Sequence, residues 1–197
     1  MMLRVALPIM AIGLATIPAS LGAQKMYPPG IIDSAWWPDL IDDEPRLWQL
    51  GRLQGFKTRY RLAIAGINRL RALVRIDEKH DGSGIGRVAL VRRSDPGRSL
   101  DLIADADRTF RVSAKDMALL RTRIAAANLW SIGPEEHWYV KDDICLDGEQ
   151  LAFERLDADG YRFSEANAQC TAPPVLLVVA QTMIELSGER RALGLLQ

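Results

Sequence analysis

Apolar and polar positions alternate with a period of two from Phe56 onward. Phe56, Thr58, Tyr60, Leu62 and Ile64 fall on one side, and Lys57, Arg59, Arg61 and Ala63 on the other. That is the pattern of a strand burying one face. Gly66 and Asn68 mark a turn. Leu70, Ala72, Val74 and Ile76 then restore the apolar side, with Arg69, Arg71 and Arg75 opposite. His80-Asp81-Gly82-Ser83-Gly84 is the next turn and leads to a third strand, Arg87 to Arg92. After Ser94-Asp95-Pro96-Gly97, Leu100 to Ile103 predicts a fourth strand, and Phe110 and Val112 extend the sheet briefly.

The period then lengthens. Met117, Leu120, Ile124 and Ala127 form one helical stripe, with Lys115 and Arg123 outside it. Ser113 and Asp116 stand where a capping box places its two residues, and Asn128 is a stop; Trp130 and Ile132 tuck under the sheet. Gln150 to Leu156 and Tyr161 to Asn167 predict a hairpin around Asp157-Ala158-Asp159-Gly160. Thr171 caps a last helix behind Pro173-Pro174, with Val175, Val178, Val179, Thr182, Met183 and Leu186 inward and Gly188 at its end. Tight turns between successive strands favour an α+β fold over parallel βαβ units. The expectation is an antiparallel sheet of about five to six strands covered on one face by two main helices.

Before the first strand the chain is different. Arg4 precedes an apolar run from Val5 to Ile17, followed by Pro18, Ala19, Ser20, Gly22 and Ala23. About 13 residues of apolar run fall short of the ~20 that cross a bilayer as a helix. Residues 1–23 therefore read as a secretory signal peptide, cleaved after Ala23 or Gly22, with an uncleaved anchor as the alternative. No Cys lies near that site, so no lipid anchor is expected, and the mature chain is expected in the periplasm or secreted. No later apolar stretch approaches spanning length. Residues 24–55 form an irregular leader with Trp36, Trp37, Trp48 and the acidic run Asp42-Asp43-Glu44; Glu44-Pro45 starts a short helix through Leu50. That arm either offers a sticky aromatic surface or folds back over its own core, and the second reading is preferred. Residues 56–188 make one α+β domain and 189–197 a C-terminal tail.

The chain has 197 residues, 25 basic and 25 acidic, for a net charge of zero. This balance excludes wholesale disorder and a generic basic nucleic-acid binder. Export bears on the cysteines, because disulfides persist in oxidising compartments. With Leu156 opposite Tyr161, Cys145 and Cys170 fall within one rung of each other at the open end of the last hairpin. A disulfide there contributes up to about 3.5 kcal/mol in the chain-entropy model. Metal-binding or redox thiols are the other reading, without a CxxC or a His cluster to support it.

Chemistry is sparse. His80 lies in a Gly-rich turn, and His137 sits in Pro134-Glu135-Glu136-His137-Trp138 without a nucleophile signature. His137 with Asp142 and Asp143 lacks diagnostic ligand spacing, and Asp157-x-Asp159-Gly160 departs from a calcium loop at Tyr161. No catalytic residue, metal or cofactor is implied. One feature rises above this background. No acid occurs between Glu44 and Asp77, and Lys57, Arg59, Arg61, Arg69, Arg71 and Arg75 all take the face away from the core. Six outward cations on a two-strand ribbon suit an anionic envelope component or an acidic protein. The opposing reading is that acids such as Glu149, Glu154 and Glu165 on neighbouring strands compensate them.

Residues 56–188 also resemble uncharacterised exported bacterial proteins that carry an α+β domain of unknown function. The likeness rests on Arg75-Ile76-Asp77 to Asp81-Gly82-Ser83-Gly84, Arg108 to Val112 running into Ser113, and Ala127-Asn128-Leu129-Trp130. Asp147-Gly148 before Leu151 to Glu154, and Asp159-Gly160-Tyr161-Arg162, complete it. The resemblance implies an exported α+β domain and no activity. The functional expectation is an exported, non-catalytic binding or structural module of the cell envelope; the alternative is a small secreted hydrolase using the His137 loop.

Overall fold

The computed structural model describes residues 44–50, 53–66, 70–93, 102–132, 139–140, 143–144, 148–170 and 172–196. Four strands come first: β1 (Thr58–Gly66), β2 (Leu70–Glu78), β3 (Gly84–Arg93) and β4 (Leu102–Val112). Helix α1 (Ala114–Ala126) follows, then two-residue strands β5 (Tyr139–Val140) and β6 (Asp143–Ile144), the hairpin β7 (Glu149–Asp157) and β8 (Gly160–Asn167), and helix α2 (Pro174–Ser187). β5 pairs only with β6; the other six make one antiparallel sheet in the order β4-β3-β2-β1-β7-β8. The fold is α+β. β1 is central because the last hairpin returns to its free side, pairing Leu62 with Phe153.

One face carries the main core. Tyr60, Leu62, Ile64, Val74, Ile76, Val88, Leu90, Leu151 and Phe153 pack there against Met117, Leu120 and Ile124 of α1 and Leu176, Val179 and Met183 of α2. Alternation therefore sets the inward side of β1 and β2 as expected. The β7–β8 register is also as expected, with Leu156 opposite Tyr161 and Gln150 opposite Asn167. Its turn puts Gly160 at φ +100°, where glycine is least strained. Ser113 caps α1 by accepting from the Asp116 N–H at 3.1 Å. The shorter Asp side chain takes the Ser113 hydroxyl proton at 2.7 Å, a local variant of the reciprocal box.

Several expectations need correction. Leu100–Ile103 and Phe110–Val112 are not separate pieces: β4 runs unbroken from Leu102 to Val112, through exposed residues that need no alternation. In α2, Leu176, Val179, Ala180, Met183 and Ile184 are buried whereas Val175 and Val178 are exposed. Val-Leu-Leu-Val-Val-Ala is apolar all round, so only packing sets its rotation. Pro173 occupies the N-cap of α2, with its carbonyl accepting from Leu176, and Thr171 lies outside the described residues. The segment after Gly188 is no free tail: Arg190–Leu196 forms a 3-10 helix that buries Ala192, Leu195 and Leu196. Before β1, the short helix expected from Glu44-Pro45 through Leu50 is a single 3-10 turn, Leu47–Gln49, and Leu47 is buried. Of the aromatic arm, Trp48 is half-buried; Trp36 and Trp37 lie outside the described residues, as does the signal-peptide segment. Leu129–Ser131 forms another 3-10 turn, and Arg155 stacks 5.4 Å from the Trp130 ring centre.

Candidate functional site

The second face of the sheet is buried too. Ala63, Ala65, Leu73, Ala89, Ala152, Leu156 and Phe163 are buried there. Small alanines lower this surface, and the segment from Glu44 to Leu50 lies on it, holding Arg61 through the Pro45 carbonyl at 2.7 Å. Strand phase places Lys57, Arg59, Arg61, Arg71 and Arg75 on this face as anticipated. Their exposure differs from the expectation of an open cationic surface. Arg61 is 0% and Arg71 3% exposed, while the Lys57 side chain alone stays largely open at 57%. Arg69 lies outside the described residues.

Strand register explains how this face is charged. Arg61 stands directly opposite Arg75, and Arg75 directly opposite Arg87, so one rung crosses β1, β2 and β3 with three arginines. Like charges in that position repel, and burial would magnify the repulsion. Glu44 answers it. Its Oε1 accepts from Arg75 Nη1 at 2.7 Å and from Arg87 Nη1 at 3.0 Å. Its Oε2 lies 3.7 Å from Arg61 Nη1. On the far side of the rung, Arg61 Nε donates to Glu154 Oε2, and Tyr161 donates its hydroxyl to the other oxygen at 2.9 Å.

The network continues to both sides. Arg59 binds Asp77 through two nitrogens, and Arg75 Nε lies 3.4 Å from the same carboxylate. Arg87 makes a bidentate pair with Asp107 at 2.9 and 2.6 Å. Hydrogen bonding from this guanidinium holds the Asp107 carboxyl below its ordinary range. Arg59, Arg61, Arg75 and Arg87 thus meet Glu44, Asp77, Asp107 and Glu154, four cations against four carboxylates. Lys57 lies 3.6 Å from Glu78, which also takes Arg121.

Of the anticipated compensating acids, Glu154 is in the network, and Glu149 and Glu165 are buried. Sequence reasoning missed Glu44, Asp77, Arg87 and Asp107. A signal for two of them was present: Glu44 and Asp77 are the residues that bound the acid-free stretch. Chemically the rung is a carboxylate cradle, filled by the protein's own Glu44. His80 is exposed in the β2–β3 turn, where Ser83 donates from its N–H and hydroxyl to Asp81 and holds that carboxyl below its ordinary range. His137 and Asp142 lie outside the described residues. Cys145 does also, so its pairing with Cys170 is outside them; among the described residues no cysteine is free. The described residues contain no group of three or more His, Cys, Asp or Glu arranged to hold a metal. No helix among them is long and apolar enough to cross a membrane.

No family model, curated protein or solved structure matches this chain.

Proposed function

We propose that the chain is an exported, non-catalytic binding or structural module of the cell envelope, akin to the uncharacterised exported proteins it resembles. Its mature form starts near Gln24, is periplasmic or secreted without a lipid anchor, and carries a Cys145–Cys170 disulfide. The observation that supports a binding role is the arginine rung. Three guanidiniums on adjacent strands already hold a carboxylate, and a planar fork suits carboxylate and phosphate oxygens alike. In this reading the leader is a built-in counterion, and an anionic envelope component or an acidic protein engages the rung in competition with Glu44.

The test is co-sedimentation of the oxidised protein and of its Glu44→Gln variant with neutral and anionic lipid vesicles across a salt series. Binding that requires anionic lipid, weakens as salt rises and strengthens in the variant supports the reading. Absence of binding by both forms at low salt refutes the lipid form of it and leaves the rung as internal scaffold. Non-reducing mass analysis of the exported chain checks the amino terminus and the disulfide together.

A further inference from the structure

The two ends of the sheet are unlike. On β8, Phe163 to Asn167 are buried, whereas on β4 residues 103–105, 107–109 and 111 are exposed. β4 is also terminal in the sheet order, so its outer backbone groups meet no strand among the described residues. Exposed strands of this length are templates for pairing unless something blunts them. The first part of β4 is blunted. A bulge between Leu90 and Val91 leaves Asp105 as the extra residue, and Asp105 is tied to Arg191 and Arg92. From Ala106 to Val112 the pairing with β3 is regular.

We infer that this regular part of β4 pairs antiparallel with β4 of a second copy, about a two-fold axis through Thr109. The inference does not depend on the arginine rung's ligand. Two-fold pairing of a strand with itself must bring residues of the same parity face to face, since only alternate residues direct backbone groups outward. That leaves few centres. Centring on Asp107 opposes two aspartates, and centring on Arg108 or Arg111 opposes two arginines, all unfavourable; centring on Phe110 sets Arg111 against Thr109 and Arg108 against Val112, and so joins no opposite charges. Centring on Thr109 opposes Thr109 to Thr109, Ala106 to Val112 and, twice, Asp107 to Arg111. Arg111 is exposed and makes no ion pair among the described residues, and the Asp107 side chain is 48% exposed beside Arg87. Each therefore has room for the partner this register brings. The same register sets Arg108, which donates to the Ser187 carbonyl at 2.6 Å, against Phe110 on the helix side, where no like charges meet. Isologous contact of this kind closes on itself and ends as a dimer.

Sedimentation velocity of the purified protein over a concentration series is expected to show a monomer–dimer equilibrium. Arg111→Glu should weaken association about tenfold or more, because both attractive pairs become repulsive, with the unfolding midpoint unchanged at concentrations where both proteins are monomeric. Under mild oxidation, Thr109→Cys should cross-link to itself, and Asp107→Cys and Arg108→Cys should not. A protein monomeric at every concentration, association indifferent to Arg111→Glu, or cross-linking through 107 or 108 in place of 109 would each overturn the inference.

Discussion

Glu44 Oε1 accepts a hydrogen bond from Arg75 Nη1 at 2.7 Å across 31 positions of sequence. It is the contact that makes the three-arginine rung tolerable. Removing the carboxylate leaves four buried or half-buried guanidiniums facing three acids. Glu44→Gln is therefore expected to destabilise the fold by about 3 to 5 kcal/mol, the usual cost of stranding one member of a buried pair. Denaturant midpoints at fixed pH measure it. Combining Glu44→Gln with Arg75→Met should recover a large part of the loss, since an apolar side chain of similar length removes the stranded charge. A double variant as unstable as the simple sum would mean the two residues act independently.

Gly86 and Phe110 face each other across β3 and β4, and the ring lies over the glycine. A Cβ at Gly86 would overlap that ring. Gly86→Ala should cost about 1 to 3 kcal/mol through overpacking, although alanine normally suits a strand better than glycine. Phe110→Leu in the same chain should relieve part of it. Thermal unfolding of the four combinations gives the coupling.

Asn128 ends α1 in the left-handed region at φ 45°. Glycine adopts that conformation without a Cβ penalty, so Asn128→Gly should leave stability within a few tenths of a kcal/mol or raise it. A β-branched residue cannot, and Asn128→Val should lose about 1 to 2 kcal/mol. Equal stability of the two variants would contradict the assignment.

Burial, aided by the nearby Glu78 charge, pushes the Tyr60 phenol from 10.0 up to about 12. Below pH 10 both folded and unfolded chains keep the proton, so stability from this group is complete. Between pH 10 and 12 the unfolded chain releases it first, and folding stability falls by about 3 kcal/mol across the interval. Tyr60→Phe should flatten that part of the stability–pH curve. Urea midpoints from pH 9 to 12 for both proteins test it.

How far these features could be read from residues alone depends on whether neighbours in sequence decide them. β1, β2 and β3 carry apolar side chains at every second position because each buries its main-core face. Their existence and the phase of β1 and β2 follow from that alternation, whereas β3, expected over Arg87 to Arg92, begins already at Gly84, inside the expected turn, and runs to Arg93. The β7–β8 register follows from a turn too short to allow another. α1 is legible from its single stripe and its Ser113 cap. β4 was harder, because Ala-Asp-Ala-Asp-Arg-Thr at the sheet edge buries little and shows no preferred side. In α2 the difficulty was reversed: apolar residues all round give no phase.

The arginines show the same division. Their shared face was evident from strand phase, but whether that face met water was not. Ala63, Ala65, Ala89 and Ala152 among them were the quiet sign of a close-packed second layer.

By itself, then, the sequence determined the elements whose own periodicity meets a single environment, together with their hairpin turns and the α+β class. Only the tertiary structure decided the rotation of α2, the unbroken edge strand, and the burial of the arginine face beneath Glu44. These depend on contacts between residues far apart in the chain. Their energy comes from a neighbour's surface or charge, and no local pattern carries that information.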